Sequence, residues 1–251
     1  MLEAIVQLAQ KAGEGILRHV PGTGARAKTD GSPVTAADLE ANALIVEGLA
    51  RIAPGVPVIA EESELPPYEA RKGWKRFFLV DPLDGTKEFI SGSKDFTVNI
   101  ALIEDGVSRL GVICVPSRGL TYFAEEGRGA WRQSMATGER VRIHSSGVRA
   151  DQPLRLLESR SHRAPALETF LAGLTISERL AVGSSYKFCV LAEGGGDLYA
   201  RFSPTSEWDV AAGDCIFRNS VAEGAPPSPF RYNQPDLLNS AFAVGAINRR
   251  F

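Results

Sequence analysis

Along residues 1–20 the apolar positions Leu2, Ile5, Val6, Ala9, Ile16 and Leu17 recur at the helical period, broken by Glu3, Gln7, Lys11 and Glu14. That spacing predicts an amphipathic helix packed on a core. Residues 22–33 are polar and rich in Gly and Pro, and Thr35 then opens a second helix over 35–50 that stops before Pro54. A short strand is predicted at 58–60, a loop around Pro66-Pro67, and a buried strand at Phe77-Phe78-Leu79-Val80 that ends at Asp81. A helical turn is expected from Gly85. Two β-rich runs, 97–103 and 108–115, flank Glu104-Asp105-Gly106, a hairpin signal, and 122–132 repeats the pattern around Glu125-Glu126-Gly127-Arg128-Gly129.

Past residue 150 the pattern becomes an alternation, with strands at 154–158, 175–180, 197–202 and 241–247 and helices at 164–172, 184–193 and 207–218. The predicted fold is therefore an α+β half with an antiparallel sheet, 1–145, packed on an α/β half with a mixed sheet, 146–251, the active site lying between them. Gly194-Gly195-Gly196 follows a predicted helix, not a strand, so it reads as a helix stop and turn and not as a phosphate loop.

Composition narrows the classes. With 251 residues, 44% of them hydrophobic, the chain can bury a full core as one large domain or two intimate ones. A net charge of −2 and no Lys/Arg block argue against a nucleic-acid polymer as partner, while a small anionic substrate stays open because local charge decides it. The charged residues of the first helix exclude a signal-peptide core, and no run of 18 apolar residues predicts a membrane span. Cys114, Cys189 and Cys215 are far apart in apolar surroundings, which fits a reducing compartment and hence the cytoplasm. Peripheral attachment to the inner membrane and oligomeric state are left open. His19, His144 and His162 are scattered and are expected to have no metal role.

The chemistry concentrates in Asp81-Pro82-Leu83-Asp84-Gly85-Thr86, where two carboxylates stand three residues apart as a buried strand hands over to a helix. Pro82 biases Asp81 toward an extended conformation, so both carboxylates and the Leu83 carbonyl can converge on one hard cation. The Gly85 and Thr86 amides at a helix start suit a phosphate. Oxygen donors without His or Cys favour Mg²⁺ over zinc. Glu61 and Glu62, which follow the 58–60 strand, together with Asp38 and Asp209 in the first turns of two helices, are the further candidates. If they converge, their repulsion demands a cation. Each has a plainer alternative: Thr35-x-x-Asp38 and Ser206-x-x-Asp209 match capping boxes, Glu61-Glu62-Ser63-Glu64 matches a solvated loop, and Asp81 and Asp84 match turn residues.

Four segments carry a resemblance to the inositol monophosphatase superfamily over nearly the whole chain, and in that family's order. They are Val34-Thr35-Ala36-Ala37-Asp38, Ala60-Glu61-Glu62-Ser63, Asp81-Pro82-Leu83-Asp84-Gly85-Thr86 and Trp208-Asp209-Val210-Ala211-Ala212-Gly213. Gly85-Thr86-Lys87-Glu88-Phe89 resembles the bisphosphate nucleotidases of the CysQ type, supported by Ser159-Arg160-Ser161-His162, by Gly183-Ser184-Ser185-Tyr186-Lys187-Phe188-Cys189 and by Asp197-Leu198-Tyr199-Ala200-Arg201-Phe202. The resemblance implies a layered αβαβα sandwich and removal of the 3′-phosphate of adenosine 3′,5′-bisphosphate, a by-product of sulfate assimilation, to give AMP. It implies two or three Mg²⁺ per site, with Glu61, Asp81 and the Leu83 carbonyl on one and Asp81, Asp84 and Asp209 on a second. Thr86, Asp38 and Glu61 would activate the attacking water. The Gly85 and Thr86 amides would hold the phosphate, and Ser184, Lys187 and Arg201 would contact the nucleotide or its other phosphate. The chain departs from the family after Gly213, where Asp214-Cys215-Ile216-Phe217-Arg218-Asn219 replaces smaller apolar residues. Two alternatives remain open: hydrolysis of inositol phosphate or fructose 1,6-bisphosphate, and a non-catalytic nucleotide or metal sensor.

Overall fold

In the strand over residues 76–84, Phe77 and Leu79 join one core while Phe78 and Val80 join another, as the two-residue period of a strand dictates. A strand buried on both faces must be covered on both, and the rest of the chain supplies the covers. The computed structural model describes residues 1–28, 31–159, 165–222, 224 and 226–251. Helix α1 (Leu2–Ile16) leads to a small hairpin, β1 (Arg26–Ala27) and β2 (Pro33–Val34), then to helix α2 (Ala36–Ile52) and strand β3 (Val58–Ala60). A one-turn helix α3 (Tyr68–Arg71) precedes the central strand β4 (Arg76–Asp84) and the five-residue helix α4 (Thr86–Ile90). An antiparallel meander follows: β5 (Thr97–Glu104), β6 (Val107–Val115), β7 (Leu120–Glu125), β8 (Ala130–Ser134) and β9 (Arg140–Ile143).

The later part begins with β10 (Leu154–Glu158), α5 (Pro165–Leu171), β11 (Ile176–Ala181), α6 (Tyr186–Ala192) and β12 (Leu198–Arg201). It closes with β13 (Thr205–Ser206), α7 (Glu207–Ser220), β14 (Leu238–Asn239), β15 (Phe242–Gly245) and β16 (Arg249–Arg250). Two large sheets result. One has seven strands in the order β3-β4-β5-β6-β7-β8-β9, parallel only between β3 and β4; the other has the mixed order β11-β10-β12-β15-β16.

Helices α1 and α2 cover one face of the large sheet, setting Ile5, Ile45 and Leu49 against Phe78, Val80 and Ile100. On its other face Phe77, Leu79 and Ile113 meet α6 and α7 through Phe188, Cys215 and Ile216, and this same core takes in Tyr199 and Phe242 of the second sheet. Outside that sheet α5 sets Leu167 and Leu171 on Leu154, Leu156 and Leu198. The layers therefore run αβαβα, with α6 and α7 shared by both sheets. Each large apolar side chain so buried contributes about 1.5–3 kcal/mol. Gly111 permits a close approach of sheet to helix, since a Cβ there would stand 2.3 Å from the Ala212 carbonyl oxygen of α7.

Besides short strands in stretches read as loops, such as β1 and β2, three details differ from the sequence expectation. Strand β4 does not end at Asp81 but continues through Asp84, because its pairing with β5 skips from Asp81–Asn99 to Asp84–Thr97 around Pro82, which has no N–H to give. A further edge strand, β9, alternates the exposed Arg140 and Arg142 with Val141 and Ile143 over only four residues and lacks the continuous apolar run of the inner strands. The stretch around Pro66-Pro67 contains the short helix α3. The triple glycine behaves as expected: α6 ends at Ala192, and Gly194 takes a left-handed φ of 78°. All three cysteines are free and buried. Among the described residues no helix is long and apolar enough to cross a membrane.

Candidate active site

Strand parity carries Asp81 to the site. It follows Val80, so it returns to the face of Phe77 and Leu79, the face that meets α7, and it is only 2% exposed. Its Oδ1 accepts the Leu83 N–H at 3.0 Å, which folds the Asp81-Pro82-Leu83 segment into a tight bend. Asp84 accepts the Ser185 N–H on Oδ2 at 2.5 Å, a bond from the loop before α6 that ties the two sheets together. Gly85 then turns the chain with φ of 90°, a left-handed conformation that favours glycine, and a Cβ there would press on the Asp95 carbonyl and on Ser184.

Asp38 and Asp209 both cap their helices, and both also reach the Gly85-Thr86 turn or the cleft beside it. Asp38 caps α2 by accepting the Thr35 N–H at 2.8 Å and hydroxyl at 2.6 Å on Oδ2, while its Oδ1 accepts the Thr86 hydroxyl at 2.9 Å. A capping aspartate therefore also reaches the strand-to-helix turn. Asp209 accepts the Ser206 N–H at 2.9 Å as part of the capping box that opens α7, and it lines the same cleft as Glu61 and Asp84.

That cleft holds about 180 Å³ and is lined by Glu61, Asp84, Gly85, Thr86, Ser184, Lys187, Arg201 and Asp209, among others. Asp81 is not on its lining, yet Glu61, Asp84 and Asp209 lie near enough to act on its charge. Leu83 is buried, and its carbonyl accepts the Thr86 hydroxyl at 3.3 Å. Burial, joined by the neighbouring carboxylates, pushes the Asp81 carboxyl well above its ordinary range. Burial, with Asp84 and Glu61 adding to it, pushes Asp209 up to about 8. Burial also raises Asp84, although the Lys187 charge and the Ser185 N–H oppose the rise.

Among these stand two cations, both near enough to act on Asp84. Lys187 is 1% exposed, donates to the carbonyls of Ser184 at 2.7 Å and Val182 at 3.2 Å, and lies 5.2 Å from the Tyr199 ring centre. Burial pulls its pKa down to about 8 against the opposing pull of Asp84. Arg201 lines the cleft with a buried Nε that has no hydrogen-bond partner among the described residues.

Several groups of the site escaped the sequence reading. Lys28, from the β1–β2 hairpin, bonds Glu61 at 2.6 Å and contacts Glu62 as well. Burial works against its charge, but the two glutamates outweigh that and hold the ammonium above its ordinary range. Nothing in a polar, Gly- and Pro-rich stretch marks this lysine. Ser185 was part of a quoted motif, but its backbone bond to Asp84 has no sequence signal. Ser159, Glu88 and Tyr199 also line the cleft, while Arg160, Ser161 and His162 of the same quoted motif lie outside the described residues.

The donor set fits a hard cation. Its members are carboxylate and carbonyl oxygens, and their mutual repulsion is what a divalent ion relieves. Among the described residues no three Asp, Glu, His or Cys groups already stand as a closed ligand cluster, and Lys28 supplies positive charge to Glu61 instead. Such a set suits an ion that retains waters of its own, as Mg²⁺ does.

Layering and cleft together define an αβαβα protein with an acidic and cationic cleft between its sheets. Residues 1–223 match the model of the Inositol monophosphatase family, and the chain belongs to that family. Its members are generally Mg²⁺-dependent. The chain is 45% identical over 229 residues to the 3′(2′),5′-bisphosphate nucleotidase CysQ of Salmonella typhimurium, covering 90% of this chain and 89% of that protein. It is 43% identical over 253 residues to the protein of the same name from Escherichia coli K12, covering 97% of this chain and 99% of the relative. Among solved structures, CysQ from Bacteroides thetaiotaomicron superposes with a TM-score of 0.80 at 37% identity, covering 100% of this chain and 97% of that one.

Proposed function

We propose that the chain is a Mg²⁺-dependent 3′(2′),5′-bisphosphate nucleotidase that removes the 3′-phosphate of adenosine 3′,5′-bisphosphate, giving AMP and phosphate. The observation that carries this reading is one cleft lined at once by Glu61, Asp84 and Asp209, by Lys187 and Arg201, and by the Gly85-Thr86 turn. A carboxylate wall suits metal ions and a cationic wall suits a second phosphate, which is what a bisphosphate monoester needs. The relatives named as bisphosphate nucleotidases support the same substrate.

In this reading Glu61, Asp81 and the Leu83 carbonyl would hold one Mg²⁺, and Asp81, Asp84 and Asp209 would hold a second, with two or three ions per site. When bound, the ions supply Lewis-acid polarisation of the phosphate oxygens and make bound water more acidic. The protein's own groups do the positioning. Because the Thr86 hydroxyl donates to Asp38 Oδ1, its oxygen is left with a lone pair aimed away from Asp38, able to accept a proton from the attacking water. Asp38 and Glu61 are the carboxylates placed to take that proton onward. The Gly85 and Thr86 amides donate to the phosphate that is cleaved. Ser184, Lys187 and Arg201 take the phosphate that stays, and the Arg201 Nε offers a donor for it. Attack is in line, with no covalent phosphoenzyme, since each aspartate of the cleft is engaged with an ion or a cap.

The halves 1–145 and 146–251 act in this proposal as the two jaws of the cleft. A small-molecule substrate and a cytoplasmic setting complete it, the latter supported by the three free cysteines. The test is phosphate release from adenosine 3′,5′-bisphosphate, inositol 1-phosphate and fructose 1,6-bisphosphate with Mg²⁺, each with and without Li⁺. The nucleotide is expected to be cleaved fastest. A preference for either other substrate moves the assignment within the family, and no release from any of them with Mg²⁺ leaves a non-catalytic sensor.

A further inference from the structure

Asp81 lies on β4 and Asp209 in α7, so their spacing depends on what fastens one half of the chain to the other. One fastening lies between α3 and the loop over residues 233–237. Arg71, in α3 between Glu61 and β4, is 2% exposed, and no carboxylate lies within ion-pair distance of it among the described residues. Its guanidinium is spent on a loop that is more than 160 residues away in sequence. NH1 donates to Asn233 Oδ1 and to the Gln234 carbonyl, both at 2.8 Å, and NH2 donates to the Pro235 carbonyl at 2.8 Å. Nε donates to the Pro66 carbonyl at 3.2 Å, and Asn233 Nδ2 returns a bond to the Arg71 carbonyl at 2.7 Å.

The same loop grips the start of α7. Glu207, 0% exposed, accepts the Asn233 N–H on Oε2 and the Gln234 N–H on Oε1, both at 2.7 Å, while its own N–H donates to the Leu237 carbonyl at 2.8 Å. Asn239 adds a bond from Nδ2 to the Ser206 carbonyl at 2.9 Å. Ser206 and Glu207 are the cap and first residue of the helix whose third residue is Asp209. The loop holds Asn233 at φ of 67° and Leu237 at φ of 56°, conformations that side-chain-bearing residues keep only when their surroundings over-determine them.

We propose that Arg71 is a positioning residue for cation binding: through the 233–237 loop and Glu207 it fixes Asp209 in register with Asp81 and Glu61. The inference rests on the proposal that those carboxylates hold divalent ions. A planar fork with donors on three faces suits this task, and neither lysine nor an apolar residue can make all four bonds. Its loss lets the start of α7 drift, and a misplacement of even 1 Å is costly where several ligands must meet one ion.

The experiment is calorimetric titration of Mn²⁺ into the full chain, wild type against Arg71→Ala and Asn233→Ala, with thermal unfolding of the ion-free proteins alongside. Leu167→Ala, in the outer α5 layer, serves as a control that lowers Tm without touching the clasp. The expected result is a Mn²⁺ Kd raised about 10-fold in Arg71→Ala and about 3-fold in Asn233→Ala, with wild-type affinity in Leu167→Ala, and a kcat in Arg71→Ala that recovers as Mg²⁺ is raised. Asn233→Ala keeps three of the four Arg71 donor bonds and so reports even if Arg71→Ala fails to fold. Wild-type Kd in both clasp variants, or an equal weakening in Leu167→Ala, overturns the inference. Absence of Mn²⁺ binding by the wild type overturns the cation reading beneath it.

Discussion

The carboxylate wall of the cleft, Glu61, Asp81, Asp84 and Asp209, and its cationic wall, Lys187 and Arg201, bury charge in different ways. Lys187 is satisfied within the chain by two backbone carbonyls and an aromatic face. The aspartates repel one another, and their internal compensation is partial: Ser185 gives Asp84 one N–H, Leu83 gives Asp81 one, and Lys28 pairs with Glu61. Lys187 is complete before any ligand arrives, Arg201 keeps a buried Nε without a partner among the described residues, and the carboxylates are finished only by a cation. The difference teaches where stability has been set aside for function, since unrelieved repulsion among buried acids costs the ion-free fold what it later returns as ion affinity.

The largest break in that comparison is Asp81→Asn. Removing the shared carboxylate is expected to lower kcat by at least about 10³-fold while raising the Tm of the ion-free protein, since one member of the repelling set is gone. Steady-state assays and a thermal melt in chelator check both halves. Lys187→Met comes next: KM for the bisphosphate should rise about 10- to 100-fold through loss of a charge-assisted contact worth about 1.5–3 kcal/mol. The Tm of the ion-free protein should fall, because the Ser184 and Val182 carbonyls lose their donor and Asp84 loses an opposing charge.

A third test uses pH. The Asp209 carboxyl is raised from an ordinary value of 3.8 to about 8, so its contribution to stability is fully present below the unfolded value and is lost as pH rises through the folded one. The Tm of the ion-free protein should therefore fall between about pH 4 and pH 8, and Asp209→Asn should flatten that slope. The smallest expected effect belongs to Lys28→Met. Freeing Glu61 from a half-buried ion pair, worth about 0.2–1 kcal/mol, should lower the half-saturating Mg²⁺ concentration by about 1.5- to 5-fold.

Much of the carboxylate wall was legible because strand and helix periods place its members. The apolar run ending at Val80 locates Asp81 on a buried face, and the two capping patterns locate Asp38 and Asp209 in first turns. What stayed hidden depends on pairings no local pattern records. The β4 bulge at Pro82 arises from its register with Thr97 and Asn99 on β5. Lys28 meets Glu61 across a hairpin with no apolar period, and Arg71 meets Asn233 over a separation of 162 residues. The cationic wall lay between these cases. Lys187 and Arg201 were marked by resemblance alone, and only the fold brings the carbonyls of Val182 and Ser184 onto Lys187 Nζ.

The central claim, that carboxylates from both halves grip divalent ions beside the Gly85-Thr86 turn, is tested most directly by anomalous diffraction from crystals of the protein grown with Mn²⁺. The account predicts strong anomalous peaks among the Glu61, Asp81, Asp84 and Asp209 carboxylates, with Asp81 touching two of them and Lys28 withdrawn from Glu61. Ordered Mn²⁺ found elsewhere on the molecule, with those four side chains unliganded at saturating ion, would contradict it.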